Sequence, residues 1–247
     1  MDERQTGSLK RLKRPVDYVG RYQTSDYVAD RVSRAVIDCL VGVKEPTVVE
    51  IGCGTGETLL AVARARPDAQ LIGLDISSLN IEAADRKREN DLADRVTFVA
   101  SDFMNWQGPQ ADLIFAESVL HLVVADTDRL VERLASTLRA GGQLVFTIPR
   151  DCLRNHALFL LRRAWSTLPH KAADHVALAL ARKVYPTLPE DLLRDRLGYL
   201  RLIPERTDGA KLHESLRRNG LSPSRRTVWP VTTLLQASHS FSVWRKD

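Results

Sequence analysis

The chain has 247 residues, 44% of them hydrophobic and 27% charged, with a net charge of +5. That balance suits one large globular domain, or one domain with an insert, and excludes a disordered or low-complexity chain. No apolar run approaches the roughly 20 residues that span a bilayer, and the opening Met1-Asp-Glu-Arg4 has no apolar signal core. Cys39, Cys53 and Cys152 are too scattered for a disulfide framework or a zinc set, so the expected compartment is a reducing cytoplasm.

Residues 1 to 15 read as an arm in which Lys10, Arg11, Lys13 and Arg14 precede Pro15, either a solvated tail or a contact for an anion or nucleic acid. Tyr18 and Tyr22, four apart, can face one another or a ligand. Val28, Val32, Ala35, Val36 and Cys39 repeat with helical period, predicting a helix from Asp26 to Leu40. Val48, Val49 and Ile51 then form a short β-branched run, read as a buried strand. Gly52, Gly54 and Gly56 follow at alternate positions, where a tight turn needs positive φ and close backbone approach. The next helix runs from Thr58 to Arg66 and stops at Pro67. A second strand, Ala69 to Leu74, ends in Asp75, an acid about 20 positions past the glycines and placed for a ribose diol.

These residues alone leave three readings: a cationic ligand, a dinucleotide, or a turn that binds nothing. The third glycine comes one residue early for G-x-G-x-x-G. Glu57 at the helix start would repel a pyrophosphate but suits a cation, and Glu50 adds a second negative charge.

Ser77 caps a helix predicted to reach about Asn90, with Ile81 and Ala84 inward. Val96 to Ala100 is a third strand, ending in Ser101-Asp102-Phe103. Ala111 to Ala116 is a fourth, ending in Glu117. A helix is expected from Asp126 to Arg139, ended by Gly141-Gly142, and a fifth strand from Gln143 to Ile148. Alternating strands and helices predict parallel pairing with the ligand beyond the carboxyl ends of the strands. The acids there are Glu50, Asp75, Asp102 and Glu117.

Glu50-x-Gly52-x-Gly54-x-Gly56 resembles motif I of the class I S-adenosylmethionine-dependent methyltransferases. Ala111-Asp-Leu-Ile-Phe-Ala-Glu-Ser-Val-Leu-His121 resembles a block of that family's small-molecule members, and Leu138-Arg-Ala-Gly-Gly-Gln-Leu-Val-Phe146 resembles another, with Ala140 where proline is usual. The resemblance covers residues 45 to 149. It implies an α/β, Rossmann-like fold: a mostly parallel seven-stranded sheet with helices on both faces and a closing antiparallel strand pair. It implies S-adenosylmethionine as cofactor and S-adenosylhomocysteine as product. In that family's pattern Asp75 takes the ribose hydroxyls and Asp102 the adenine amine, with Ile76 and Phe103 beside them. Glu50, the glycine loop and the Glu117 region flank the methionine end, and Tyr22 completes the expected cofactor contacts.

Four parts are expected: an arm and helix (1–44), the cofactor-binding core (45–149), a helical insert placed as a substrate lid (150–206), and a last helix with the closing strand pair (207–247). Charge is segregated among them. Residues 35–149 hold 10 basic and 17 acidic side chains, whereas residues 150–226 hold 16 and 8. A basic cover over an acidic floor suits an anionic or aromatic small-molecule acceptor. Of the histidines, His121 is placed as a general base or substrate contact, with a structural role as its alternative. Where the base-methylating enzymes carry N/D-P-P-Y/F this chain has Ala116-Glu-Ser-Val119, which argues against DNA. No residue set suggests a metal. The expected function is methylation of oxygen or nitrogen on a small molecule in specialised metabolism, by a monomer or homodimer away from membranes. An RNA or carrier-protein-bound substrate, and a nucleotide-binding module without activity, are the alternatives.

Overall fold

The structure, a computed structural model, describes residues 26–167, 170–184, 186, 190, 193, 203–229 and 237–247. The described helices are α1 (Asp26–Cys39), α2 (Glu57–Ala65), α3 (Ser78–Lys87), α4 (Thr127–Thr137), α5 (Leu153–Ser166), α6 (His170–Val184) and α7 (Ala210–Arg218). The strands are β1 (Thr47–Ile51), β2 (Gln70–Asp75), β3 (Val96–Ala100), β4 (Ala111–Glu117), β5 (Leu138–Pro149), β6 (Leu221–Trp229) and β7 (His239–Lys246).

The seven strands form one sheet in the order β3-β2-β1-β4-β5-β7-β6. The first five run parallel, and β7 enters antiparallel between β5 and β6. Strand order reverses at β1 and β4, so a crevice opens beyond their carboxyl ends.

Adjacent residues of each inner strand feed opposite faces, which is why these strands are apolar without alternation. Val48, Leu113, Phe115 and Val145 pack with α1 and α2 on one side. Val49, Ile114, Ala116, Leu144 and Phe146 pack with α4 and α7 on the other. Leu130, Leu134, Leu212 and Leu216 carry that second layer, each under 5% exposed.

Several boundaries differ from expectation. Asp126 caps α4 by accepting from the Asp128 amide at 2.9 Å, but α4 stops at Thr137. Leu138 is already extended and pairs with Ala111, and Gly141, at φ +73°, lies in the irregular stretch before Gln143 pairs with Leu113. The glycine pair therefore shapes the entry of β5 and does not cap α4. The closing strand pair, expected within residues 207–247, is β6 from Leu221 and β7 from His239; residues 230–236 between them lie outside the described residues. In the insert, Leu153, Leu160, Leu161, Val176 and Leu180 are exposed. The apolar residues of α5 and α6 are thus only partly covered, with Leu158 and Leu178 inward.

Candidate active site

The glycine loop leaves β1 with the Gly52 and Cys53 amides donating to the Leu74 carbonyl at 2.7 and 2.9 Å. Gly52 has φ +72°, and a β-carbon there would stand 2.6 Å from Val119 Cγ2. Gly56, at φ +84°, would likewise meet Phe98 at 2.8 Å. Two independent constraints, backbone and packing, thus require glycine at both positions. The Gly52 contact also brings the chain after β4 against the glycine loop. Gly56 is the N-cap of α2 and offers no side chain to its first amides.

Four carboxylates gather around this loop. Glu50 is buried at 3% exposed, and its Oε2 has no hydrogen-bond partner. Burial pushes its carboxyl well above the usual range, and the charges of Glu117, Glu57 and Asp75 push it further. Burial also raises Glu117, against hydrogen bonds from the Ser118 and Thr147 hydroxyls. Asp75 accepts from the Gly54 amide at 2.9 Å and the Ser77 amide at 2.8 Å, so it binds the loop to the start of α3. Glu57 departs from expectation: its Oε1 takes the Lys87 ammonium and the Thr55 hydroxyl. Lys87 closes α3 and offsets that charge, so of the two acids at the loop with a bare oxygen, Glu50 Oε2 and Glu57 Oε2, Glu57 already carries a cation on its other oxygen.

A ligand with positive charge is what completes Glu50 Oε2, and crowded acids favour it electrostatically. The residues present therefore fit a sulfonium- and ammonium-bearing cofactor. Ile76, next to Asp75, is 51% exposed and offers an apolar platform at the strand end. Asp102 is exposed, with Oδ1 accepting from the Met104 amide at 2.9 Å. Phe103 is 3% exposed and packs in the core with Trp106, so its ring is committed to the fold. Tyr22 lies outside the described residues, as do Tyr18 and the basic arm.

His121 is 2% exposed, on the loop that follows β4. Burial, with His239, Arg162 and Arg206 nearby, holds its imidazole well below the usual range. Its Nδ1 has no partner. Sequence reading missed what surrounds it. The Glu205 amide donates to the His121 carbonyl at 2.8 Å, and buried Arg206 donates to the carbonyls of Leu120, Val123 and Ala125. His239 stands edge-on to His121 with ring centroids 5.8 Å apart. Asn155 of α5, fully buried, bonds Ser238 in both directions, Nδ2 to its carbonyl at 2.8 Å and Oδ1 from its amide at 2.9 Å. No local sequence signal marks Arg206, because the carbonyls it reaches are more than 80 positions away, or His239, because the ring it faces comes from the distant loop after β4.

Asp208, whose side chain is fully buried, accepts from Arg226 and Ser240 and meets His213 Nε2 at 2.6 Å. Serine and histidine both address the same carboxylate, so this set is a structural hub joining α7, β6 and β7 and is not a hydrolytic relay.

Residues 49–144 match a family model described as "Methyltransferase domain". A trans-aconitate 2-methyltransferase of Methylobacterium radiotolerans is 34% identical over 149 residues, 59% of this chain and 55% of that protein. The chain thus matches little more than half the length of this relative. Among solved structures, the magnesium protoporphyrin IX methyltransferase of Synechocystis PCC 6803 with bound SAH superposes with a TM-score of 0.58 at 18% identity, covering 98% of this chain and 95% of that one. The [4+2]-cyclase SpnF does so with a TM-score of 0.61, also at 18% identity and with the same coverage of both chains. At these identities the structural likeness concerns the fold. With the sequence match added, residues 49–144 are similar to a methyltransferase domain, and the fold built around them is the Rossmann-like fold that these solved structures share.

Proposed function

We propose that the chain methylates a carboxylate oxygen of a small organic acid. When bound, S-adenosylmethionine supplies a methyl group made electrophilic by its sulfonium. Asp75 would hold its ribose hydroxyls, Ile76 and the Asp102 turn its adenine, and Glu50 with Glu117 its cationic end.

The observation that carries the choice of acceptor is the state of His121. An imidazole held well below its ordinary range by burial and by neighbouring guanidiniums is neutral at pH 7 and a weak base. It is poorly suited to take a proton from an alcohol or an ammonium. An acceptor that arrives ionised needs no base at all. The cationic surroundings, Arg206 and Arg162, attract such an acceptor, while the acids at the glycine loop favour the oppositely charged cofactor. His121 then serves as a neutral hydrogen-bonding wall that orients the acceptor. The similarity to a methyltransferase named for trans-aconitate, an acid, supports the same chemical class.

Methyl esters saponify, whereas methyl ethers and methylamines do not. The protein should be incubated with S-adenosylmethionine labelled in the methyl group and a panel of di- and tricarboxylic acids, hydroxy compounds and amines. Label that base releases as volatile methanol is the expected result. Label that stays with the acceptor after base would overturn the reading.

A further inference from the structure

His121 and His239 form a buried pair of imidazoles in which each ring has one nitrogen without a partner among the described residues. The orphan atoms are His121 Nδ1 and His239 Nε2, on residues 2% and 7% exposed. His239 Nδ1 lies 2.8 Å from the Ala237 carbonyl. A carbonyl can only accept, so that nitrogen carries the proton and Nε2 is a bare lone pair. Burial lowers the His239 pKa to about 4, so the lone pair stays available at neutral pH. An unmet lone pair in the interior is costly, and native proteins rarely leave one without a reason.

The place is as informative as the atoms. His239 pairs with Pro149 at the carboxyl end of β5. His121 is two residues beyond Val119, which abuts Gly52. The pair therefore lies at the carboxyl edge of the sheet, on the β5–β7 side of the glycine loop, where an acceptor would meet the methyl donor. Arg162 and Arg206 are near enough for their charges to bear on His121, and Arg162 bears on His239 as well. Two guanidiniums beside two imidazoles make the spot hostile to a metal cation. They leave a neutral donor as the partner for the lone pair.

We propose that His239 Nε2 accepts a hydrogen bond from a hydroxyl of the acceptor, so that His239 selects hydroxylated acids over their deoxy counterparts. The proposal rests on the carboxylate reading above. A hydroxyl is the natural match because it gives one hydrogen bond and takes others, and so can serve both orphan nitrogens. A site built to receive a hydroxyl rejects the analogue lacking it more strongly than an apolar pocket rejects a missing methylene.

The test uses two matched pairs, malate with succinate and citrate with tricarballylate, each differing by one hydroxyl. With the wild-type chain, kcat/KM for the hydroxylated member should exceed that of its partner by about tenfold or more. His239→Phe should abolish the preference. His239→Gln, whose amide oxygen can still accept, should retain part of it. Equal rates in the wild type, or a preference untouched in His239→Phe, would overturn the proposal and leave the lone pair to a structural water. Ring ¹⁵N spectra with S-adenosylhomocysteine and each acid read the contact without turnover. The His239 Nε2 resonance should move with the hydroxylated member alone, and a resonance that moves with neither overturns the assignment even where no acid is methylated. Absence of methylation on all four acids with that resonance still responding would instead count against the carboxylate reading.

Discussion

The Arg206 guanidinium donates to the Ala125 carbonyl at 2.6 Å. The same group reaches Val123 at 2.9 Å and also Leu120, so one side chain closes the loop that carries His121. Among the described residues its hydrogen-bond partners are these carbonyls, which would be left short of donors without it. Arg206→Met should lower stability by roughly 2–4 kcal/mol, read from urea denaturation. Arg206→Lys, with the charge but not the fork, should lose less stability and still lower kcat while S-adenosylhomocysteine affinity holds. Wild-type stability in Arg206→Met would show that the loop holds itself.

Asp75 accepts the Gly54 and Ser77 amides, and the proposed function gives it the ribose diol as well. Asp75→Ala should weaken S-adenosylhomocysteine binding about tenfold, or ~1.4 kcal/mol, measured by calorimetry. It should also lower the melting temperature of the free protein, since two backbone amides lose their acceptor. Unchanged affinity would remove Asp75 from the cofactor site.

Glu50 predicts a proton linkage. Its folded-state pKa is raised, so stability from this group is present below the ordinary carboxylate range and is lost as pH rises through the folded value. A cation beside Oε2 favours the ionised form, so S-adenosylmethionine binding should release a proton and strengthen with pH. Calorimetry in buffers of different ionisation enthalpy reads this directly. Heats that do not depend on the buffer would refute it. Glu50→Gln should lose the proton release and bind the cofactor less well.

The buried histidines act in the opposite sense. His239 takes a proton near pH 6.5 when unfolded and only at about 4 when folded. Its stabilising contribution is therefore full above pH 6.5 and is lost between 6.5 and 4, by roughly 3 kcal/mol over the window. Urea midpoints of the wild type and His239→Gln at pH 7.5 and 5 should diverge, the wild type losing more. Parallel losses in the two proteins would show that other groups govern the acid limb.

The sheet's first five strands were legible because Val48-Val49, Leu113 to Phe115 and Leu144 to Phe146 are buried on both faces, which forces continuous apolar runs. The glycine loop was legible because steric demand at Gly52 and Gly56 admits one residue type. The partner of Glu57 was not, since Lys87 reaches it only after α3 has docked against β2 and β3. The surroundings of His121 were hidden for the same reason: Arg206 and Asn155 bond chain segments far from their own positions, and the His239 ring meets His121 only once β7 is in the sheet. Leu160 and Leu180 fit a helical period but stand exposed, because periodicity finds a helix without saying what covers it.

The place of β7 has a consequence for the order in which the molecule can be completed. Ser240, Ser242 and Trp244 are interior residues, at 2% exposure or less, on the strand that β5 and β6 both require as a neighbour. Of the described strands it is the one translated latest. Until it leaves the ribosome, β5 presents an unpaired apolar edge to the cell. The half-made chain is then a candidate for chaperone capture, and the pairing of His121 with His239 waits for β7.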